Sequence, residues 1–121
     1  MNGGKMSEIY SAILTGLKKI NGVEMTALGG RDGFLISKSE SDETERMTRM
    51  AAALIRGAET AANKLDTVIL NRVIVDFNGR HLIAASAGPK VVISVLAAQD
   101  ASLDPIISEI DRTVEKIRDI I

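Results

Sequence analysis

The segment at residues 42–65, DETERMTRMAAALIRGAETAANKL, constrains the fold of this chain more than any other. Its apolar residues recur every three or four positions, which is typical of an amphipathic α-helix. Ser41 or Asp42 can cap the N-terminus of this helix, where acidic side chains are also favourable. The apolar face is predicted to consist of Met47, Met50, Ala51, Leu54, Ile55, Ala58, Ala61, Ala62 and Leu65.

The opposite side of this helix is polar, but three small residues interrupt it. Ala52, Ala53 and Gly57 leave almost no side-chain bulk there. A glycine inside a helix costs on the order of 1 kcal/mol relative to alanine, so Gly57 needs a reason. One interpretation is that the helix covers its own sheet with the apolar face and meets a partner with the other. The alternative is that the small residues are merely tolerated.

The rest of the chain predicts two further helices and five strands. The first helix covers residues 6–20 and ends at Gly22, where a glycine C-cap belongs. Asn78-Gly79 is a strong signal for a two-residue hairpin turn. Pro105 is tolerated in the first turn of a last helix that begins near Ser102 or Asp104. The predicted strands cover residues 23–28, 34–37, 67–77, 80–86 and 91–98.

These elements predict an α+β fold with the order α-β-β-α-β-β-β-α. We expect a five-stranded, mostly antiparallel sheet with the long helix on one face and the two terminal helices on the other. Residues 6–121 form a single domain in this prediction, and residues 1–5 a flexible N-terminus.

The strand at residues 67–77 has apolar side chains on both faces. Val73, Val75 and Phe77 would share one face, and Leu70 and Ile74 the other, with Arg72 among them. Because this strand starts the three-strand meander, we expect it at the edge of the sheet. An apolar edge is an aggregation hazard unless another strand pairs with it. The same strand in a second copy is an economical partner, since antiparallel self-pairing has the two-fold symmetry of a closed homodimer.

Composition excludes several classes of function. Aromatic residues make up 2% of the chain and the net charge is −1, which argues against a nucleic-acid surface. The chain has no cysteine, which excludes disulfides and thiolate sites and fits a cytoplasmic location. The longest apolar run, at residues 91–98, is too short to cross a bilayer, so we expect no direct membrane insertion.

No catalytic or metal site emerges from the motifs. The glycine-rich turn at residues 29–33 lacks the phosphate-loop pattern and precedes a strand, not a helix. His81 is the only histidine, and no nucleophile motif such as GxSxG is present. Arg46, Arg49 and Arg56 could supply an arginine finger, but their spacing equally suits a solvated or dimer-contact face. We therefore predict a protein that is not an enzyme and uses no metal or cofactor.

The chain resembles the roadblock / dynein light chain family over residues 9–121. The resemblance lies in INGV at 20–23, RDGFLIS at 31–37, MTRMAAALIRGA at 47–58, the meander, and SLD at 102–104. Gly29-Gly30 and Pro105 depart from the family pattern, and the first departure could alter the hairpin tip. The resemblance implies a two-fold homodimer through the long helix and the first meander strand.

The resemblance also implies a function. Prokaryotic relatives are implied to be partners and regulators of small Ras-like GTPases, and a lone domain is most similar to that kind. The first hypothesis is therefore a homodimeric adaptor that binds such a GTPase and modulates its cycle. The alternatives are a purely structural scaffold subunit and a small-ligand sensor. The dimer interface is predicted to include Arg49, Ala53, Arg56, Gly57, Thr60, Leu70, Arg72 and Ile74.

Overall fold

The computed structural model describes the backbone of residues 2–65 and 69–120, with side chains from residue 8 onward. Over these residues the strands form one antiparallel sheet in the order β1-β4-β3-β2. The α+β class is therefore confirmed. The elements are α1 (Asn2–Ile13), α2 (Thr15–Lys18), β1 (Val23–Gly30), α3 (Asp42–Ala62), β2 (Arg72–Phe77), β3 (Arg80–Ala87), β4 (Val91–Ala98) and α4 (Leu103–Ile120).

The two faces of the sheet are covered by different helices. On one face, α3 packs Met47, Ala51 and Ile55 against β1, β3 and β4. On the other face, residues of α1, α2 and α4 share a larger apolar cluster with Leu28, Ile83, Ile93 and their neighbours. The layering therefore follows the prediction, because each amphipathic helix buries its apolar stripe on the sheet.

The predicted strand at residues 34–37 does not form. Only an isolated bridge between Gly29 and Leu35 remains, so the described sheet has four strands and not five. The N–H groups of Ile36 and Ser37 both donate to the carbonyl of Leu28, at 2.8 and 3.0 Å. The Ser37 hydroxyl accepts the N–H of Leu28 at 3.0 Å. The Ser37 hydroxyl thus takes the place of the backbone carbonyl that would form the next hydrogen bond of a strand pair. The chain then bends away from β1.

The first predicted helix is divided at Leu14. α1 begins at Asn2, earlier than predicted, and α2 ends at Lys18. The backbone bonds continue across the break, since the N–H of Leu14 donates to the carbonyl of Tyr10 at 3.2 Å. Tyr10, Leu14 and Leu17 are buried, whereas Ile9 is exposed. The flexibility expected of residues 1–5 stays a prediction.

α3 keeps its predicted start and most of its predicted apolar face, since Met47, Ala51 and Ile55 are buried, but it ends at Ala62 and not at Leu65. The Ser41 side chain accepts the N–H of Thr44 at 3.4 Å, which confirms the cap. Ala52 is fully buried although the pattern placed it on the polar side, and Leu65 is 83% exposed although the pattern placed it on the apolar face. No α3 residue after Ile55 is buried. The reason is that α3 extends past the sheet residues that it covers.

β2 lies at a sheet edge, as expected, but it begins at Arg72. The predicted start of this strand falls on residues 66–68, outside the described residues, and residues 69–71 are not in a strand. Leu70 packs with Val73 on the α3 side, so the prediction that they occupy opposite faces is wrong. Side chains alternate only where the backbone is extended, and residues 69–71 precede the strand.

A close approach between β1 and α3 explains Gly29. A Cβ atom at this position would overlap the Thr48 methyl group. Thr48 has little freedom to move away, because its hydroxyl donates to the carbonyl of Thr44 at 2.8 Å and fixes the rotamer. The absence of a side chain at Gly29 therefore lets Thr48 of α3 lie directly against the backbone of β1.

His81 connects the β2–β3 hairpin to the loop after β4. Its Nδ1 bonds to the Asp76 carboxylate, and its Nε2 lies 3.0 Å from the carbonyl oxygen of Gln99. The hydrogen bond to Asp76, followed by the bond to the Gln99 carbonyl, raises the pKa of His81 above its ordinary value of 6.5. The protonated imidazole can donate both bonds at once.

We expect Gly29→Ala to destabilise the fold by about 1–3 kcal/mol, because the added methyl group overpacks the contact with Thr48. Urea denaturation measures the change. Gly30→Ala is the matched control, since its methyl group would meet only the Asp32 side chain. Equal losses for the two variants would contradict the proposed contact.

The His81 contacts should make stability depend on pH. Because the folded pKa is raised, the stabilisation is complete below the unfolded value of 6.5 and is lost as the pH rises through the folded pKa. We expect the wild-type advantage over Asp76→Asn in unfolding free energy to be larger at low pH than at high pH. NMR titration of the only histidine gives its pKa directly. An unchanged His81 pKa in Asp76→Asn would refute this cause.

Candidate interaction surface

The free edge of the sheet is one half of the candidate site. β2 pairs with β3 on one side only, so its other edge has no strand partner among the described residues. Apolar side chains are exposed along it: Ile74 is 41% exposed and Phe77 is 37% exposed. An exposed apolar edge strand is a surface that proteins normally pair or cover.

The outer side of α3 is the other half. Ala53 and Gly57 are both exposed, and a Cβ atom at Gly57 would have nothing within 4 Å. No internal contact therefore requires a glycine at this position. The gap suits close approach by a second helix, because small residues let two helix backbones come together.

A groove of about 270 Å³ opens between the first half of α3 and the sheet, with Phe77 of β2 on one side and Met25 of β1 in its lining. Three of its nine lining residues are methionines, and flexible thioether side chains adapt readily to the shape of a partner. Sequence periodicity missed this groove, because its residues come from elements far apart in the chain. The groove is lined by Met25, Glu43, Arg46, Met47, Met50, Phe77, Arg80, Leu82 and Leu96.

The turn after β1 forms a separate exposed patch. Phe34 is 75% exposed at its tip, and its N–H donates to the Asp32 carboxylate at 3.0 Å. Phe34 belongs to the predicted strand at residues 34–37, so its exposure differs from the expectation. The signal was the Asp32-Gly33 pair, since an Asp side chain that bonds the backbone two residues on marks a turn.

Arginines from α3 surround this turn. The Arg56 guanidinium donates to the carbonyl oxygen of Arg31, and the Arg49 stem lies beside Gly33. Arg31 itself pairs with Glu59 and donates to the Ser86 hydroxyl at 3.3 Å. Arg49 and Arg56 are in none of the ion pairs found among the described residues. Their charges are therefore uncompensated by the side chains described.

The structure separates the eight predicted interface residues into groups. Ala53, Gly57 and Thr60 lie on the exposed side of α3, together with Arg49 and Arg56 near the turn. Ile74 lies on the free edge. Leu70 is half-buried against the α3 side of the sheet. Arg72 is bonded to Asp111 of α4 at 3.0 Å. Their role in a dimer stays a prediction.

A polar cleft of about 390 Å³ lies between the start of β2 and α4. Its charged groups mostly neutralise one another: Arg72 pairs with Asp111 at 3.0 Å, and Arg118 with Glu115 at 3.7 Å. The Nε atom of Arg72 is buried and has no hydrogen-bond partner among the described residues. In the alternative in which the protein is a small-ligand sensor, this cleft is where the ligand would bind.

The geometry gives no support to catalysis at His81. Its ring nitrogens contact a carboxylate and a backbone carbonyl, and no described hydroxyl group is bonded to it. A nucleophile–base pair requires such a contact.

Over the described ranges, no three His, Asp or Glu side chains lie close enough to hold a metal ion. None of the helices in the described chain is long and apolar enough to span a bilayer.

Comparison with solved structures identifies the same fold in several proteins. The Roadblock/LC7 domain from Streptomyces avermitilis has a TM-score of 0.83 at 21% identity, covering 90% of this chain and 94% of that one. The gliding protein MglB of Thermus thermophilus has a TM-score of 0.81 at 15% identity, with coverages of 94% and 89%. MglB of Myxococcus xanthus has a TM-score of 0.81 at 17% identity, with coverages of 94% and 88%.

Sequence comparison gives the family. A search of curated protein sequences finds no match to this chain. The family model described as the Roadblock/LC7 domain matches residues 9–97, which span the elements from α1 to the end of β4. The match includes the turn with Phe34, the whole of α3 and the β2 edge. The chain therefore belongs to the Roadblock/LC7 domain family.

Proposed function

We propose that this protein is a non-enzymatic homodimer that binds a small Ras-like GTPase and modulates its GTPase cycle in the cytoplasm. The observation that carries the proposal is the unpaired apolar edge of β2 beside the small-residue side of α3. Membership of the Roadblock/LC7 family supports it, because the resemblance implies both self-association and a GTPase partner.

Self-association would remove exposed apolar surface from water. Ile74 and Phe77 lie along the β2 edge, and the methionine-lined groove opens beside Phe77. Burying apolar area stabilises an interface by about 25 cal/mol per Å² before the costs of association. Pairing of the two β2 edges would also satisfy backbone groups that have no strand partner in one copy. The two effects favour the same two-fold arrangement.

The GTPase would dock on a patch centred on Phe34, together with Arg49 and Arg56, two arginines that are also among the predicted dimer-interface residues. Aromatic side chains and arginines are enriched at the cores of protein interfaces, and this patch combines an exposed phenylalanine with two arginines. Both arginines lack a carboxylate partner among the described side chains, so they would attract an acidic surface. The patch lies on the β1 side of α3, which leaves the β2 edge available for a second copy.

The test is a pull-down with small Ras-like GTPases from the same organism, each loaded with GDP or a GTP analogue. Light scattering on the same preparation gives the native mass. A dimer that binds a GTPase in one nucleotide state supports the regulator. A dimer that binds none in either state would favour the scaffold alternative, and a thermal shift with a small metabolite would favour the sensor.

Gly57→Glu should weaken the dimer at least tenfold, because a charged side chain would enter the helix contact. The folded monomer should keep its stability, since glutamate has a higher helix propensity than glycine and a Cβ atom at this position has nothing within 4 Å. Sedimentation equilibrium measures the change. Ala12→Glu, at an exposed position of α1, is the matched control. An unchanged dissociation constant would exclude this side of α3 from the interface.

Phe34→Ala should reduce GTPase affinity at least tenfold while leaving the dimer intact, because truncating an aromatic anchor commonly costs about 2 kcal/mol or more. The side chain is 75% exposed, so the melting temperature should change little. Calorimetry with the GTPase found in the pull-down provides the measurement. Lys38→Ala, an exposed position beyond the turn, serves as control. Wild-type affinity in Phe34→Ala would place the docking surface elsewhere.

A further inference from the structure

We infer that Asn78, at the tip of the β2–β3 hairpin, is a site of spontaneous covalent modification, in which the side-chain amide is lost and isoaspartate forms in the main chain. The reaction uses only the neighbouring Gly79 and water. It requires neither a partner nor a dimer, so it is independent of the proposed function.

The hairpin turn exposes both reacting groups. Asn78 and Gly79 have φ values of +52° and +69°, as a two-residue type I′ turn requires. Both residues are exposed. Gly79 has no side chain to shield its amide nitrogen, and the described backbone hydrogen bonds of turns and loops include none from that N–H. The nitrogen that would attack is therefore accessible, and no backbone acceptor among the described residues holds it.

The first step is an intramolecular attack on the Asn78 side chain. The Gly79 nitrogen bonds to Cγ of Asn78 and closes a cyclic imide, while the bond between Cγ and Nδ2 breaks. The Nδ2 group takes up the proton of the Gly79 N–H and leaves as ammonia. Because the nucleophile and the carbonyl belong to adjacent residues, no second molecule has to be brought into place. Hydroxide promotes the step by removing the N–H proton.

Water then opens the imide in one of two ways. If it cleaves the new bond between the nitrogen and Cγ, residue 78 becomes aspartate and the main chain is restored. If it cleaves the original peptide bond, the main chain continues through Cβ and Cγ, which gives isoaspartate. Each turnover consumes one water, releases one ammonia and involves no oxidation or reduction. A cavity of about 340 Å³ borders both turn residues and has room for water.

The two products should affect the hairpin differently. Aspartate tolerates the positive φ of this turn much as asparagine does. Isoaspartate adds a methylene group to the main chain, and a two-residue turn cannot accommodate it while Phe77 stays paired with Arg80. The hairpin must therefore open at its tip. This tip adjoins the end of β2 that carries the exposed Phe77, so the modification would alter one end of the free sheet edge.

The chain contains another Asn-Gly pair in a more restrained place. Gly22 is half-buried, and a Cβ atom there would overlap the Ala101 side chain. The carbonyl of Gly22 also accepts the N–H of Ala98 at 2.8 Å. Asn21 is exposed like Asn78, so the two sites differ in the freedom of the glycine and not in the exposure of the asparagine. We expect the fold to slow the reaction at Asn21 far more than at Asn78.

Ageing of the full chain in mildly alkaline buffer provides the test. Peptide mapping by mass spectrometry follows each asparagine separately, so the Asn2-Gly3 pair does not interfere. In the folded protein, Asn78 should convert several-fold faster than Asn21. In concentrated urea, where the fold is lost, the two sites should convert at similar rates. Asn78→Gln is the matched control, because glutamine keeps the amide but must close a larger ring that forms more slowly.

The chemical form and the stability of the products give a second readout. Electron-transfer fragmentation distinguishes isoaspartate from aspartate at residue 78. Urea denaturation of the separated products then gives their unfolding midpoints. The isoaspartyl product should unfold at a lower urea concentration than the Asn78→Asp variant, which carries the same charge without the added methylene group.

The outcomes are distinct. A mixture of isoaspartate and aspartate at residue 78, with a preference over Asn21 that appears only in the folded protein, supports the inference. Equal rates at the two sites in the folded protein, or faster conversion at Asn21, would overturn it. Aspartate without isoaspartate would refute the imide route, and equal midpoints for the isoaspartyl product and Asn78→Asp would refute the opening of the hairpin.

Discussion

The packing of α3 on the sheet depends on small residues that bring two backbones close together. Ala51 and Ala52 are buried on the helix, Ala84 lies beneath them in β3, and Gly29 meets Thr48 at the β1 end. With so little side-chain bulk between the layers, Ile55 can be fully buried. A side chain of that size contributes about 1.5–3 kcal/mol when it leaves water. The packing of α3 on the sheet in turn positions the charged turns, the helix caps and the loops.

The same packing leaves one edge of the sheet open. A single helix cannot cover four twisted strands, and α3 lies chiefly over β1, β3 and β4. β2 receives less cover on the α3 side, and Ile74 on the opposite side is only partly covered. The open edge, the methionine-lined groove and the exposure of the small residues on α3 all arise because one helix is too narrow to cover the whole sheet. Such a surface suits a second copy, because the strand and the helix can both pair about one two-fold axis.

A second set of contacts joins the turn after β1 to α3. Arg31 bonds to Glu59 and Ser86, while Arg56 bonds to the Arg31 carbonyl. The turn is thereby held in a fixed position although it is exposed, and Phe34 is presented on a rigid support. Preorganisation of this kind lowers the entropy cost of binding. In the proposed function, self-association uses the β2 edge, and partner binding uses the turn that carries Phe34.

The sequence by itself determined the class of fold, the element order apart from one strand and the break in the first helix, and the start and cap of α3. These features depend on local periodicity, turn residues and capping, which act over a few positions in the chain. It also indicated the edge position of β2 and the small residues Ala53 and Gly57. Tertiary structure alone decided the loss of the strand at residues 34–37, where the Ser37 hydroxyl takes the N–H of Leu28, and the exposure of Leu65, which extends past the sheet. It also decided the groove and the environment of Phe34, because they unite residues that only the packing of distant elements brings together.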